Sequence, residues 1–413
     1  MRSKKLSLGL IVALAVFTTT MLLTGTPAAA QERVLHSFGN GKDGIDPTSS
    51  LIFDPAGNLY GQTEVGGAYD GGTVFELSPK VGGGWTPKIL HSFGNGTDGA
   101  TPIAGPLVFA AGNLYGTTYT GGAYNAGTVF ELKPKAGGGW TEKTIYSFYG
   151  YITDGCLPWA GLVSDASGNL YGTASSCGAL GYGAVFELSP STGGYTEKVL
   201  HDFDDNGTDG YYSYSSLIFD SSGNLYGTTD SGGVYGYGTV FELTPATGGS
   251  WTETVLHSFG SGADGVYAQA SLVRDASGNL YGTTLHGGTY GYGMVFELTP
   301  AGDGSWTETV LHSFGHNSGA DGEYPGANLI LDSAGNLYST TEIAGAFGWG
   351  TVFELSPRTS GGWTERLLHS FNDNGKDGEY PGAGLIFDAA GNLYGTTSQG
   401  GVYTDGTAFE ITP

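Results

Sequence analysis

The sequence predicts an all-β protein that folds as a seven-bladed β-propeller with four antiparallel strands per blade. The first observation behind this prediction is an internal repeat. The string Gly-Asn-Leu-Tyr-Gly, or a one-residue variant, recurs with its Asn at positions 58, 113, 169, 224, 279, 336 and 392. The spacing of these positions is 55 to 57 residues. A period of this length, made of β-rich runs, is typical of propellers, in which each repeat forms one blade.

The second observation is that each repeat contains four short strand-like runs. In chain order they resemble "LIFD", "GNLYGTT", "GTVFELSP" and "WTETVLHSF", and Gly, Asn and Asp separate them. The turn before the second run is usually Asp-x-x-Gly-Asn, as at 54–58, where the Asp can accept backbone N–H groups. Helical periodicity is absent after the N-terminal segment. The alternative is a right-handed β-solenoid, whose coils are usually shorter and contain fewer strands.

The third observation is that the two ends of the repeat region are complementary. The region opens with "ERVLHSF" at 32–38, which is the second half of an outer strand, and it ends with the third run of the seventh repeat at 406–413. A strand at about 33–38 can therefore complete the last blade. Such closure hides the sheet edges that an open array would expose.

Residues 1–30 have the features of a secretory signal peptide. Arg2, Lys4 and Lys5 precede an apolar run from residue 6 to 23, and small residues follow at 28–30. An uncleaved membrane anchor is the alternative interpretation. We therefore expect residues 31–413 to form the propeller, secreted to the extracellular space or retained in a periplasm, with no membrane span after cleavage.

The charge of the chain excludes some partners. The protein contains 39 Asp and Glu against 15 Lys and Arg. Without the three cations of the signal segment, the net charge is about −27, a field that repels phosphate backbones. We therefore expect no nucleic-acid partner.

The repeated pattern "DxxGNLYGTT…GTVFEL…VLHSF" resembles the GloVer tandem-repeat family, bacterial secreted proteins with a choice of C-terminal anchors. The resemblance covers essentially all of residues 31–413. It implies an extracellular location and a propeller-like architecture, and it implies no established activity. Pro413 ends within a repeat without a sorting or membrane tail, which favours release or periplasmic residence over covalent display.

Side chains that occur once in every blade are expected to be structural. The histidines of the "VLHSF" runs are spread around the rim, whereas a metal ion needs several ligands within about 2.0–2.2 Å. The same argument applies to the Glu of each "VFEL" run. The histidines are His36, His91, His201, His257, His312 and His369, and the glutamates are Glu76, Glu131, Glu187, Glu242, Glu297, Glu354 and Glu410.

The Asp-Gly loops contain the one candidate cofactor site, for calcium. Residues 204–210 read "DDNGTDG", and the oxygens of Asp204, Asn206 and Asp209 could wrap a calcium ion. The loop lacks the spacing and the distant Glu of an EF-hand. An Asx-turn or a β-turn explains all seven Asp-Gly loops without a metal, so we expect no cofactor apart from this calcium candidate.

Cys156 and Cys177 are the only cysteines and both lie in the third repeat. Cys156 precedes the innermost strand of its blade, and Cys177 lies between the second and third strands. Loops of these two types emerge on the same face of a propeller. We therefore predict a disulfide, which an oxidising compartment permits. The alternative is a pair of free thiols.

Functional residues are expected where the repeats differ, on the face that carries the long loops. One aligned position is aromatic in four repeats, where the others have Gly71, Ala126 and Asp405. Further aromatic and polar residues are expected nearby. The candidate ligand-binding residues are Tyr182, Tyr237, Tyr292, Trp349, Trp159, Tyr212, Asp230, His286 and Glu342; their additional aromatic neighbours are Tyr211, Tyr214, Tyr267, Tyr324 and Tyr380.

Flat aromatic faces beside carboxylates suit sugar rings, and rigid tyrosines are also good anchors for proteins. Packing of loop against loop is the structural alternative. We expect a non-catalytic, monomeric binding module for an extracellular glycan or protein. A glycoside hydrolase or lyase and a structural matrix component are the alternatives. A retaining hydrolase would need two carboxylates about 5–5.5 Å apart, with Asp230 and Glu342 as the candidates.

Overall fold

A computed structural model describes residues 30–103 and 105–413. The expected signal peptide, apart from Ala30, lies outside the described residues. Seven four-stranded antiparallel sheets follow one another along the chain, as the repeats predict. The innermost strands are Ile52–Phe53, Val108–Ala110, Val163–Ser164, Ile218–Phe219, Val273–Arg274, Ile330–Leu331 and Ile386–Phe387. The second strands are Leu59–Thr63, Asn113–Thr118, Leu170–Ala174, Leu225–Thr229, Leu280–Thr284, Leu337–Thr341 and Leu393–Thr397.

The third and outer strands are longer. The third strands are Thr73–Pro79, Thr128–Pro134, Ala184–Ser191, Thr239–Pro245, Met294–Pro300, Thr351–Pro357 and Thr407–Thr412. The outer strands of blades 1 to 6 are Trp85–Ser92, Trp140–Ser147, Gly194–Asp202, Trp251–Ser258, Trp306–Ser313 and Trp363–Ser370. Short ladders extend three loops: Gly210–Tyr211 with Ser231–Gly232, Gly265–Val266 with His286–Gly287, and Gly378–Glu379 with Gln399–Gly400. The helical segments are short, Thr247–Gly249 and His316–Gly319.

The seventh blade is completed from the other end of the chain, which confirms the predicted ring closure. The strand Gln31–Ser37 pairs antiparallel with Thr407–Thr412 and is the outer strand of that blade. Arg33 adds an ion pair with Glu410 at 3.4 Å. Every blade therefore has four strands.

The hydrophobic core lies between neighbouring blades. The Phe of each "VFEL" run and the Phe of each "HSF" run are almost completely buried. For example, Phe38 and Phe75 pack with ring centroids 4.8 Å apart and join the closing strand to blade 1. Because each blade buries its apolar side chains against the next, the blades depend on one another for stability.

A ring of polar contacts between blades surrounds the central channel. In six blades the hydroxyl of a second-strand Thr donates to a carbonyl just before the innermost strand of the next blade, as Thr228 does to Ala270 at 3.0 Å. Blade 1 has Gln62 instead, and blade 2 has one additional residue in the accepting loop. The longer amide reaches Gly105 O at 3.0 Å. Two irregularities in the repeats therefore compensate each other.

The third repeat contains the predicted disulfide. Cys156 and Cys177 are bonded, with their Cα atoms 5.3 Å apart. The bond joins the loop before the innermost strand to the loop between the second and third strands. Among residues 30–103 and 105–413, no helix has the length and apolar character needed to cross a bilayer.

Candidate functional site

Two loop types meet on one face of the ring, called the channel face below: the loops before the innermost strands and the loops between the second and third strands. In each blade the first loop contains one non-glycine residue with φ between 53° and 63°. The N–H of that residue donates to the preceding blade, as Tyr267 does to Tyr237 O at 3.0 Å. Its C=O accepts from the residue after the second strand, as from Leu285 at 3.0 Å. These bonds offset the cost of the left-handed backbone and fix the loops.

These hydrogen bonds confirm that the residues aligned at the aromatic position are structurally equivalent in the seven blades. The seven carbonyls that accept these inter-blade bonds belong to Gly71, Ala126, Tyr182, Tyr237, Tyr292, Trp349 and Asp405. The seven donors are Thr101, Leu157, Tyr212, Tyr267, Tyr324, Tyr380 and Asp46. The alignment of the repeats therefore places the candidate aromatics at blade boundaries.

Four consecutive blade boundaries carry a pair of aromatic rings, called the aromatic arc below. The pairs, with their centroid distances, are Tyr182–Tyr212 at 6.3 Å, Tyr237–Tyr267 at 6.0 Å, Tyr292–Tyr324 at 5.9 Å and Trp349–Tyr380 at 5.2 Å. Tyr237 and Tyr292 remain 43% and 38% exposed. Tyr211 also packs on Tyr182, at 5.1 Å. The other three boundaries lack aromatic side chains at both positions, so the channel face is asymmetric.

A cavity of about 250 Å³ occupies the mouth of the central channel, where all seven blades contribute lining residues. Trp159, Tyr214 and Tyr380 provide aromatic surface, and Gln269 and Glu342 provide polar groups. Trp159 contacts Tyr214 edge-on at 5.5 Å. Tyr380 belongs to both the cavity and the aromatic arc, so the arc and the cavity form one continuous surface.

Asp230 and His286 are held by neighbours on this surface. The Asp230 carboxylate accepts from Gln269 Nε2 and from Ser231 Oγ, both at 2.8 Å. The His286 ring lies edge-on to Tyr267 at 5.8 Å and to Tyr324 at 4.8 Å. Both side chains therefore have fixed orientations beside aromatic rings.

Glu342 provides a carboxyl group of perturbed acidity at the cavity. Its side chain lines the channel mouth and remains exposed to solvent, and partial desolvation there raises the pKa of its carboxyl. Of the two carboxylates considered for a retaining hydrolase, Glu342 lines the cavity, and Asp230 accepts a hydrogen bond from the cavity residue Gln269.

The blade boundary next to the Trp349–Tyr380 end of the aromatic arc is acidic. At the boundary between blades 7 and 1, Asp46 occupies the donor position and Asp405 the acceptor position. Burial raises the pKa of Asp46, and repulsion by Asp405 raises it further. Burial and repulsion by Asp46 also raise the pKa of Glu64. The channel face thus combines an aromatic arc with an acidic boundary directly beside it.

The candidate calcium loop uses its oxygens in local hydrogen bonds. Asp209 Oδ2 lies 3.1 Å from His201 Nε2 and accepts from Asp204 N at 3.0 Å. Asn206 Oδ1 accepts from the N–H groups of Thr208 and Asp209, both at 2.9 Å. This is the arrangement of an Asx-turn. The calcium site at Asp204, Asn206 and Asp209 stays a prediction.

The histidines of the "VLHSF" runs, called the rim histidines below, each contact an Asp, and the sequence analysis did not predict this contact. Each lies 2.9–3.2 Å from the Asp of the following Asp-Gly loop, as His257 does from Asp264. In three cases a Glu of the next outer strand joins them, with the donor atoms within 4.8 Å of one another. The residues of these clusters could hold a metal ion. The three clusters are Glu32–His369–Asp377, His201–Asp209–Glu253 and His257–Asp264–Glu308. An Asp seven to nine residues after each of these histidines was the available signal.

Gln269 is a cavity residue that the sequence reasoning also missed. It occupies the position of Trp159 and Tyr214 in the neighbouring repeats, three residues before the Leu that precedes the innermost strand. Comparing that position across the repeats would have identified it. Tyr119 was missed as well, although it packs on Trp159 at 5.3 Å.

Comparison with known proteins identifies the repeats. The profile of the Gloeobacter/Verrucomicrobia repeat matches residues 17–229, 83–276 and 214–413. No curated protein matches the chain significantly. One solved structure that matches is a protein of Thermus thermophilus described as a presumed oxidoreductase (glucose dehydrogenase). The two chains share 14% identity over 93% of this chain and 100% of the other, with a TM-score of 0.41.

Proposed function

The chain belongs to the Gloeobacter/Verrucomicrobia repeat family, and we propose that it is a secreted, non-catalytic propeller that binds a glycan on its channel face. The observation that carries the proposal is the aromatic arc, which adjoins a polar cavity through Tyr380. Secretion is supported by the expected signal peptide and by the disulfide, since disulfides persist in oxidising compartments.

The arc suits sugar rings because its aromatic faces are held in place before any ligand arrives. The inter-blade hydrogen bonds fix the backbone under each ring. A prepositioned aromatic side chain loses little conformational entropy on binding. Tyr237 and Tyr292 expose enough surface for the C–H face of a pyranose to stack on them.

The polar groups beside the arc suit hydroxyl groups. The Asp230 carboxylate is oriented by Gln269 and Ser231, and carboxylate oxygens can accept further hydrogen bonds. Glu342 provides a second carboxyl at the cavity.

A glycan array with the mature protein, residues 31–413, tests the proposal. Tyr237→Ala and Trp349→Ala each remove one stacking surface, worth about 1 kcal/mol, or roughly fivefold in Kd. Val81→Ala is the control, because Val81 is fully exposed in the turn between the third and outer strands of blade 1, away from the channel face.

We expect both aromatic variants to lose affinity for the same glycans and the control to keep it. Equal binding by wild type and both variants would contradict the proposal. Binding to no glycan would also contradict it and would favour an extracellular protein or matrix partner.

A further inference from the structure

Every blade exposes one large apolar side chain at the same loop position. The loop between the second and third strands contains a tip residue that is 44–60% exposed in all seven blades. These tip residues are Tyr69, Tyr124, Leu180, Tyr235, Tyr290, Phe347 and Tyr403. Six of the seven are aromatic. They are distinct from the aromatic arc, which is present at only four boundaries.

The tips are held rigidly. In six blades the residue before the tip donates its N–H to the side chain that ends the outer strand of the same blade. Examples are Val234 to Ser258 Oγ at 3.3 Å and Val402 to Ser37 Oγ at 3.3 Å. The loop is also closed by a backbone bond, such as Gly238 N to Gly232 O at 3.0 Å. The aromatic ring is therefore presented to solvent by an ordered loop.

Three of the tips border an equivalent shallow groove on the outer strand. The grooves beside Tyr235, Tyr290 and Tyr403 have volumes of about 630, 480 and 370 Å³. Each is lined by the tip tyrosine, by the His and Ser that end the outer strand, and by one polar side chain of the next loop. The polar side chains of the next loop are Ser261, His316 and Asn40, which occupy the same position in their repeats.

The groove chemistry points to an uncharged, hydroxyl-rich ligand. An aromatic face next to hydroxyl, imidazole and amide groups can stack a pyranose ring and bond its hydroxyls. Of the three grooves, two contain no Asp, Glu, Lys or Arg among their lining residues. A polyanion would be repelled by the acidic chain as a whole.

We propose that the three tip grooves are repeated subsites for one neutral polysaccharide, with one subsite each beside Tyr235, Tyr290 and Tyr403. The inference rests on the proposed glycan-binding function and adds that the ligand is a polymer held at several points. Repetition is the reason: one chain of identical sugar units can occupy several equivalent sites, and each occupied site raises the effective concentration at the next.

The experiment compares polymer binding with oligomer binding. Affinity electrophoresis in gels containing barley β-glucan, arabinoxylan or galactomannan measures retention, and calorimetry with a tetrasaccharide of the retained polymer measures Kd and stoichiometry. The variants are the triple Tyr235→Ala/Tyr290→Ala/Tyr403→Ala, the double Tyr237→Ala/Trp349→Ala, and the control Leu180→Ala. Leu180 is an exposed tip without an aromatic ring. Circular dichroism confirms that each variant is folded.

We expect the triple variant to lose at least about tenfold in polymer affinity and to bind fewer tetrasaccharides per chain, while Leu180→Ala matches the wild type. Unchanged retention of the triple variant, a wild-type stoichiometry of one, or no retention on any of the three polymers would overturn the tip-groove proposal. The double variant reports separately on the aromatic arc. If the triple variant fails to alter binding and the double variant abolishes it, the channel-face function stands and the tip grooves are refuted.

Discussion

The raised pKa of a glutamate on an outer strand predicts that the protein becomes less stable as the pH rises from 5 to 8. Glu197 lies on the outer strand of blade 3, and its Oε1 is buried without a hydrogen-bond partner. Burial, followed by repulsion from Asp154 and Asp202, raises the pKa of Glu197 from 4.5 to about 7. The folded state therefore favours the protonated carboxyl.

The sign and the size of the effect follow from linkage. Because the folded pKa is raised, the stabilisation is fully present below pH 4.5 and is lost as the pH rises through 7. The difference between 4.5 and about 7 corresponds to about 3.4 kcal/mol at 1.36 kcal/mol per pH unit. Since the side chain is partly exposed, solvent screening reduces this to about 1–2 kcal/mol.

Glu197→Gln isolates the effect, since the amide resembles the protonated carboxyl. Urea unfolding at pH 5 and pH 8 should show a variant that matches the wild type at pH 5 and exceeds it by about 1–2 kcal/mol at pH 8. Glu76→Gln is the control, because Glu76 is paired with Lys88 at 3.3 Å. The reasoning is refuted if Glu197→Gln shows the same pH dependence as the wild type, or if the wild type is more stable at pH 8.

Three further predictions concern the ring. Gln62→Thr should cost about 1–3 kcal/mol in urea unfolding, because the shorter side chain leaves the Gly105 carbonyl without its amide donor; a cost below about 0.5 kcal/mol would contradict this. Cys156→Ser/Cys177→Ser should lower the unfolding free energy by about 3 kcal/mol on the chain-entropy estimate, and an equal stability under oxidising conditions would argue against that role. Deleting residues 31–37 should expose the strand Thr407–Thr412 as an edge and cause association, measured by light scattering. A monomeric, cooperatively unfolding deletion variant would refute the closure argument.

The contacts inside a blade were predictable from sequence because they repeat with the chain. A turn such as Asp54 to Asn58 has its Asp accept two backbone N–H groups, at 2.8 and 2.9 Å, as its residues suggest. The repeats also predicted the number of blades, the closure and the disulfide. The equivalence of Tyr237 with Trp349 followed from alignment alone.

Contacts between blades were harder to predict because they depend on how two sheets pack. The approach of Glu253 to His201 and Asp209 joins two outer strands, and no local spacing specifies it. The exposure of the tip residues was equally difficult to predict from the sequence. Tyr69 and Tyr60 are both tyrosines of blade 1, yet the first is 54% exposed and the second is 4% exposed. Only the packed ring distinguishes them.

The closing strand Gln31–Ser37 also constrains when the protein can mature. Its partner Thr407–Thr412 is synthesised roughly 370 residues later, so the first strand must wait unpaired until the end of the chain is made. The final step of folding is therefore one of the longest-range contacts the chain can form, and such contacts form slowly. A chain that is still being synthesised cannot yet have a complete seventh blade, so synthesis of Thr407–Thr412 is a physical precondition for the closed ring.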